Sequence, residues 1–246
     1  LFSLDTLSFY RKGRHLPALG MHLINNTVGG VLFPAFTKIQ DDKPQMHELA
    51  RRGLKNIMFL VVPAMGIFFV IAQPLIIILY TDKWLPSAIF LQICCFSFVL
   101  APFHTMNLQI MTACGRSDYY LYIEILKKIE LLILVFLTYR FGIIVMTCAV
   151  ATNSYLMVII NGWPNRKLID YPPWSQFMDV LPFFLLAVAA AGVTQITRLL
   201  PQNNWLLLFM NATIFSAVYL GLAALMRQIP ADLYTLAKQL KSKIRK

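Results

Sequence analysis

Long uncharged runs dominate the sequence. Ile57 to Tyr80 gives 24 consecutive residues without a charge, and Leu85 to Gly115 gives 31. A hydrocarbon layer about 30 Å thick is crossed by about 20 apolar residues, so each run is long enough to span it. The runs are continuous rather than alternating, which disfavours the strands of a membrane barrel. The pattern therefore predicts an all-α, polytopic membrane helix bundle.

About seven transmembrane helices can be counted along the chain. The predicted spans are 16–37, 57–80, 85–113, 122–139, 141–162, 180–197 and 205–226. The first contains several glycines and polar residues and is expected to face protein, whereas the fourth has four charges near its start. Short connections predict antiparallel neighbours, and the prolines at 63, 74, 102 and 182 predict kinks.

The positive charges are distributed between the apolar runs. The net charge of +11 would suggest nucleic-acid binding in a soluble protein, but 58% of the residues are hydrophobic and only 13% are charged. Of the 22 Lys and Arg, sixteen fall on one side of the predicted bundle and six on the other. The positive-inside rule places the richer side, with the C-terminus, in the cytoplasm. No nucleic-acid partner is expected.

Neither cysteines nor known motifs indicate catalysis. Cys94, Cys95, Cys114 and Cys148 lie in or beside apolar runs without metal or disulfide spacing, so no metal and no cofactor is predicted. Glycine-rich phosphate loops, paired metal-binding histidines and nucleophile elbows are absent from the sequence. We therefore expect a protein that is not an enzyme. Because the chain starts at Leu1 rather than Met, we also expect a fragment of a longer protein.

Polar side chains at membrane depth are the first candidates for a binding site. Asn25 and Asn26 lie in the first predicted span, and His104, Asn107 and Gln109 lie in the third. Such groups need hydrogen-bond partners in lipid, so they either join helices or face a hydrated cavity, where they could bind sugar hydroxyls or phosphate. His104 has no carboxylate partner in sequence and is weak evidence for proton transfer.

A second candidate is a basic cluster on the side that should be poor in positive charge. It contains Arg11, Lys12 and Arg14, followed by His15. A cationic group retained against the topological preference can hold an anionic ligand such as a lipid pyrophosphate. The alternative is an anchor for lipid headgroups. Charges of both signs at residues 124–130 are instead expected to neutralise one another.

Four stretches of the sequence resemble the polysaccharide flippases. They are VLFPAFTKIQDD at 31–42, TDKWLP at 81–86, residues 104–118 from HTMNLQ to GRSD, and PNRKL at 164–168. These Wzx-type lipopolysaccharide exporters belong to the multidrug/oligosaccharidyl-lipid/polysaccharide exporter superfamily. Its members have two six-helix lobes, to which polysaccharide flippases usually add two helices.

The resemblance implies a domain organisation. Residues 1–162 would be the remainder of the second lobe, 163–228 two additional terminal helices, and 229–246 a basic cytoplasmic tail. The first lobe would be the missing N-terminal half. Residues 1–13 would belong to an outer loop, in which Phe9, Tyr10, Lys12 and Gly13 correspond to residues typical of the family.

The resemblance also implies a function. Such a protein moves an undecaprenyl-diphosphate-linked oligosaccharide across the bacterial inner membrane by alternating access, for surface polysaccharide synthesis. Its partners would be that lipid-linked oligosaccharide, membrane lipids and the missing half. The candidate substrate-binding residues are Lys12, Arg14, Asn25, Asn26, His104, Asn107 and Gln109.

Two other functions remain open from the sequence. A drug/cation antiporter of the same superfamily would favour carboxylates at mid-span, and the sequence has none there. An integral-membrane enzyme of polysaccharide assembly would need a large extramembrane loop with catalytic residues. The longest connection, residues 38–56, is short and helix-like.

Overall fold

The structure, a computed structural model, is a bundle of ten α-helices over residues 3–199, 203–230 and 232. For residues 23–28, 198 and 199 it describes the backbone alone. No strand occurs in these ranges, so the predicted all-α fold is confirmed. The helices are α1 (Leu4–Lys38), α2 (Lys43–Val70), α3 (Ala72–Tyr80), α4 (Ser87–Phe98), α5 (Ala101–Ala113), α6 (Ser117–Thr138), α7 (Ile143–Gly162), α8 (Asn165–Leu168), α9 (Pro173–Thr194) and α10 (Asn204–Leu225).

The prediction that residues 1–13 belong to an outer loop is wrong from residue 4 onward, because α1 begins at Leu4. Ser3 caps the helix by accepting a hydrogen bond from the Thr6 backbone N–H at 3.2 Å, and Asp5 lies in the first turn, where a negative charge is favourable. Arg and Lys are good helix formers. The basic cluster therefore extends the helix rather than forming a loop.

Two predicted spans are each divided by a proline. The span predicted at 57–80 consists of the last part of α2 and all of α3, and the span predicted at 85–113 consists of α4 and α5. A proline ring clashes with the carbonyl four residues earlier. α2 ends at Val70, four residues before Pro74, and α4 ends at Phe98, four residues before Pro102. α2 and α9 continue through their own internal prolines.

Five segments in the described part of the chain are helical, long and apolar enough to cross a membrane, which supports a multi-pass membrane protein. They are Lys43–Val70, Ser87–Ala113, Ile143–Leu168, Pro173–Thr197 and Asn204–Leu225. α1 and α6, with 35 and 22 residues, are also long, but α1 is more polar and α6 carries more charges. That these two helices cross the membrane stays a prediction.

The helices alternate between two ends of the bundle, as the short connections predict. At one end Lys43 Nζ donates to the Lys167 carbonyl oxygen at 3.5 Å, and His47 Nδ1 lies 3.0 Å from the Ile169 carbonyl oxygen. We call this the charge-rich end; it comprises residues 38–55, 113–117 and 162–179. At the opposite end, which includes residues 3–15 and 80–91, the Phe9 ring packs edge-on against Trp84 at 5.6 Å.

The basic tail predicted at 229–246 lies almost entirely outside the described residues, which include only 229, 230 and 232 of it. The side chains of Asn25 and Asn26 also lie outside the described residues.

Candidate functional site

A small pocket at the opposite end of the bundle brings part of the basic cluster together with two aromatic rings. Its volume is about 290 Å³. α1 contributes side chains spaced three or four residues apart, which places them on one side of the helix. The end of α3 and the following turn supply the aromatic wall. The lining residues are Ser8, Arg11, Lys12, His15, Tyr80 and Trp84; we call this the cation–aromatic pocket.

Lys12 is held in this pocket by the aromatic rings. Its Nζ lies 4.4 Å from the centroid of the Tyr80 ring and 5.4 Å from that of Trp84. Cations are attracted to the negative face of such rings. None of the ion pairs in the described part of the chain includes Arg11, Lys12 or Arg14. No ion pair among the described residues therefore neutralises the positive charge of the pocket.

Gly13 fixes the position of this pocket by allowing α1 to touch the backbone of α4. A methyl group on Gly13 would lie 2.5 Å from the Ser87 carbonyl oxygen and 2.8 Å from the Leu91 backbone nitrogen. Real side chains do not approach so closely, and backbone atoms cannot move aside without shifting a helix. The absence of a side chain at Gly13 therefore sets how the basic residues stand relative to α4.

Arg14 lies outside the pocket and extends along the helix axis toward the middle of the neighbouring Ser87–Ala113 span. Its guanidinium carbon lies 5.8 Å from the centroid of the Phe98 ring, at the end of α4. The side chain is exposed in this chain. Arg11, His15 and His22 are exposed as well, and with Arg14 they occupy neighbouring positions on the helix. We call these four residues the basic face of α1.

The exposed face of α6 has a different chemistry. Large apolar side chains cover its second half: Leu132 is 71% exposed, Phe136 73% and Leu137 62%. Such a surface suits contact with lipid tails, whereas ionisable side chains at membrane depth face protein or water. The exposed face of α6 therefore suits contact with lipid, whereas the basic face of α1 suits contact with water or protein.

His104 points into the bundle rather than toward α1. Its Nδ1 lies 2.6 Å from the side-chain nitrogen of Asn161 on α7. Asn161 is fully buried, so this hydrogen bond joins α5 to α7. A substrate-binding role for His104 stays a prediction.

Asn107 lies in a buried cluster of amide side chains and is only 1% exposed. Its Nδ2 donates to Gln176 Oε1 at 2.9 Å, and its Oδ1 accepts from Asn165 Nδ2 at 2.7 Å and from Gln176 Nε2 at 2.9 Å. Gln176 Nε2 also donates to the Tyr171 carbonyl oxygen at 3.0 Å. These bonds join α5, α8 and α9 at the charge-rich end. A ligand role for Asn107 stays a prediction, but the structure gives it a packing role.

Gln109 faces α1, unlike His104 and Asn107. A methyl group on Gly29 would lie 3.1 Å from Gln109 Nε2. The buried Gln109 Oε1 has no hydrogen-bond partner among the described residues. Gly29 is 17 residues along α1 from Lys12, about 25 Å at 1.5 Å per residue. The predicted residues therefore do not form one compact cluster.

An ionic cluster at the charge-rich end is not among the candidate sites that the sequence predicts. The Asp179 carboxylate on α9 lies 2.9 Å from Arg51 Nη2 and 2.9 Å from Lys55 Nζ, both on α2. Tyr171 Oη donates to Asp179 Oδ2 at 3.0 Å, and burial, with the nearby carboxylate, raises the pKa of Tyr171. Along the chain, Arg51 and Lys55 both lie more than 120 residues before Asp179. Only the packing of α2 on α9 brings them together.

Replacing Asp179 with Asn is expected to lower the melting temperature of the protein. The change removes a carboxylate shared by Arg51, Lys55 and Tyr171, and losing hydrogen bonds to a charged group costs about 1–3 kcal/mol. Arg51→Gln should cost less, because Lys55 still pairs with Asp179. Thermal unfolding in detergent measures the melting temperatures of both variants. The control is Arg52→Gln, whose ion pair is solvent-exposed and contributes little; equal losses for all three variants would contradict this account.

Comparisons with known proteins come from a family model and a solved structure. Residues 1–89 match the model of a family described as polysaccharide biosynthesis protein. The fold is similar to that of the lipid II flippase MurJ in an inward closed conformation, with a TM-score of 0.73 and 15% sequence identity. The match covers 90% of this chain and 47% of that one, so the chain spans about half the length of MurJ. No curated protein matches the sequence.

The family match includes the cation–aromatic pocket and the basic face of α1, both of which lie within residues 1–89. The family match over residues 1–89 therefore agrees with the resemblance that the sequence predicts for that part of the chain, and most of the chain's length shares the fold of MurJ.

Proposed function

We propose that this chain is half of a flippase that moves a lipid-linked oligosaccharide across a bacterial inner membrane. The basic face of α1 would line the hydrated path of the substrate's diphosphate and sugars. The observation that carries the proposal is the exposure of Arg11, Arg14, His15 and His22 on a helix packed along a membrane span. The family match and the shared fold support it.

α1 runs beside a candidate span over most of that span's length. Gly13 lies against Ser87 and Leu91 near its start, and Gly29 lies against Gln109 near its end. A helix that accompanies a span in this way crosses the membrane with it. His22 and the guanidinium of Arg14, which lies beside Phe98, are then at membrane depth, where contact with lipid tails would be costly. Arg11 and His15 lie at the entrance to the same path.

Water and a second protein surface would remove that cost. A lipid-linked oligosaccharide carries sugar hydroxyls that cannot cross hydrocarbon unaided, because each unsatisfied polar group costs several kcal/mol. Guanidinium groups bind phosphate oxygens with two parallel hydrogen bonds. We therefore assign the diphosphate to Arg11 and Arg14, and the remaining half of the path to the part of the protein outside this chain.

The domain organisation proposed with this function keeps the predicted boundaries. Residues 1–162 complete a lobe, residues 163–228 hold the two terminal helices, and residues 229–246 form a cytoplasmic tail. In support, α9 and α10 pack on each other and on α2. Alternating access, with the charge-rich end in the cytoplasm, is the proposed mechanism.

Single cysteines on α1 and α6 test whether the basic face lies along a hydrated path. In a protein whose native cysteines are all replaced by alanine, Arg14→Cys and His22→Cys are expected to react with a membrane-impermeant thiol reagent in intact cells or inverted vesicles. Leu132→Cys on α6, which is 71% exposed but apolar in its surroundings, is the control and should not react.

The full-length gene product that contains this chain is used for this labelling. Equal labelling of the α1 and α6 positions, or labelling of neither, would count against a hydrated path along α1.

A further inference from the structure

An apolar groove opens between α5, α7 and α9, away from the basic face of α1. Its volume is about 610 Å³, and Phe103, Tyr155 and Ile159 form part of its wall. None of its lining residues belongs to α1. The groove is therefore separate from the path proposed for the substrate.

The mouth of this groove lies at the charge-rich end and contains a cation between two tryptophans. Arg166 is the charged residue among the lining side chains, and Trp163 and Trp174 stand beside it with 61% and 67% exposure. The Arg166 guanidinium carbon lies 6.0 Å from the centroid of the Trp163 ring. No carboxylate in the described part of the chain forms an ion pair with Arg166. Its charge is available to an anion.

The apolar surface continues from the groove along α7. A second cavity of about 260 Å³ shares Tyr155 with the groove, and a third of about 350 Å³ shares Phe69 and Phe96 with the second. The third cavity reaches Cys148 on α7. Cys148 and Gly162, the last residue of α7, are 14 residues apart, about 21 Å along the helix. An apolar track therefore runs from the cationic mouth through most of the membrane depth.

We propose that this groove binds an anionic phospholipid from the leaflet at the charge-rich end. Arg166 would bind the headgroup phosphate through its planar fork of donors, and one acyl chain would follow the track along α7. Trp163 and Trp174 would lie at headgroup level, where amphipathic rings are favoured at membrane interfaces.

Charge complementarity decides for a phospholipid over a second protein surface. A helix of another copy could cover the apolar wall, but it would leave Arg166 buried without a counter-charge, which is costly. An anionic headgroup joined to an apolar chain matches both parts of the site. Juxtamembrane Arg and Lys side chains attract anionic lipids.

Native mass spectrometry of the purified, delipidated full-length gene product in detergent tests this assignment, with phosphatidylglycerol and phosphatidylcholine of identical acyl chains as probes. The wild-type protein should prefer phosphatidylglycerol about tenfold. Arg166→Gln should lower its affinity for phosphatidylglycerol to that for phosphatidylcholine. The control Lys128→Gln, which removes an exposed positive charge on α6, should keep the preference.

A second pair of variants tests the acyl track independently of charge. Ile159→Trp fills the groove and should weaken binding of both lipids, whereas Leu156→Trp, at a position on α7 of similar exposure that does not line the groove, should not. Either no lipid preference in the wild type or an unchanged preference in Arg166→Gln would overturn the proposal. So would undecaprenyl phosphate displacing phosphatidylglycerol at equal concentration, because it would assign the groove to an isoprenoid carrier.

Discussion

Replacing Arg11 and Arg14 together with glutamine is expected to reduce surface polysaccharide at least hundredfold in a flippase-null strain that carries the full-length gene. Both guanidinium groups are exposed on α1, and neither has an ion-pair partner among the described residues. Each hydrogen-bonded contact between a guanidinium and a phosphate contributes about 1.5–3 kcal/mol. Losing two such contacts corresponds to a factor of about 100 or more, since 1.4 kcal/mol is tenfold.

A variant that also removes two positive charges provides the control. Lys128 and Arg140 are exposed, and they lie on α6 and in the turn that follows it. Lys128→Gln/Arg140→Gln should leave surface polysaccharide within about twofold of wild type. Membrane abundance of each variant is measured by immunoblotting, so that loss of transport is separated from loss of protein.

Arg14→Lys distinguishes geometry from charge. Lysine keeps the positive charge but cannot form the two parallel hydrogen bonds of a guanidinium. We expect activity between those of the wild type and the double variant. Wild-type activity in Arg11→Gln/Arg14→Gln at normal abundance would show that the basic face of α1 does not hold the diphosphate.

The sequence correctly predicts a helix around residues 104–109, but a position on a helix does not say which neighbouring helix each side chain meets. His104 and Asn107 are three residues apart and both point to helices later in the chain, His104 to α7 and Asn107 to α8 and α9. Gln109, two residues further on, points to α1 instead. A polar residue in a span has the same pattern whether it joins helices or lines a cavity. The difference depends on helix rotation, which only packing determines.

Local rules explain where the helices begin and end better than apolar patterns do. An apolar pattern marks the part of a helix in hydrocarbon, so the predicted spans start at residues 16 and 57, whereas α1 starts at Leu4 and α2 at Lys43. Ser3 and Asp42 act as N-caps at these starts, with side chains that accept from Thr6 and Gln45 backbone N–H groups. The Ser3 cap is readable from the sequence, but the family resemblance implies an outer loop at residues 1–13.

Long-range pairs were not readable in this way. Tyr80 and Trp84 are near one another in sequence, and aromatic residues are common at membrane interfaces. Nothing local indicates that Lys12, on another helix, lies over both rings. The close approach of α1 and α4 at Gly13 brings them together, and this contact is the basis of the second prediction.

Replacing Gly13 with alanine is expected to disrupt the cation–aromatic pocket and to destabilise the protein. The new methyl group would lie 2.5 Å from the Ser87 carbonyl oxygen and 2.8 Å from Phe90 Cβ, so α1 must move away from α4. Overpacking of this kind costs about 1–3 kcal/mol. Alanine is otherwise the better helix former by about 1 kcal/mol, so any loss of stability reports the contact rather than helix propensity.

Gly30→Ala is the matched control on the same helix. Nothing lies within 4 Å of the position its methyl group would occupy, so this variant should gain stability or remain unchanged. Thermal unfolding in detergent compares the two alanine variants with the wild type. Surface polysaccharide in the flippase-null strain then shows whether moving α1 also impairs transport, because Arg11 and Arg14 would shift with the helix. A Gly13→Ala protein as stable as Gly30→Ala would mean that α1 does not touch the α4 backbone, and the pocket described here would lose its structural basis.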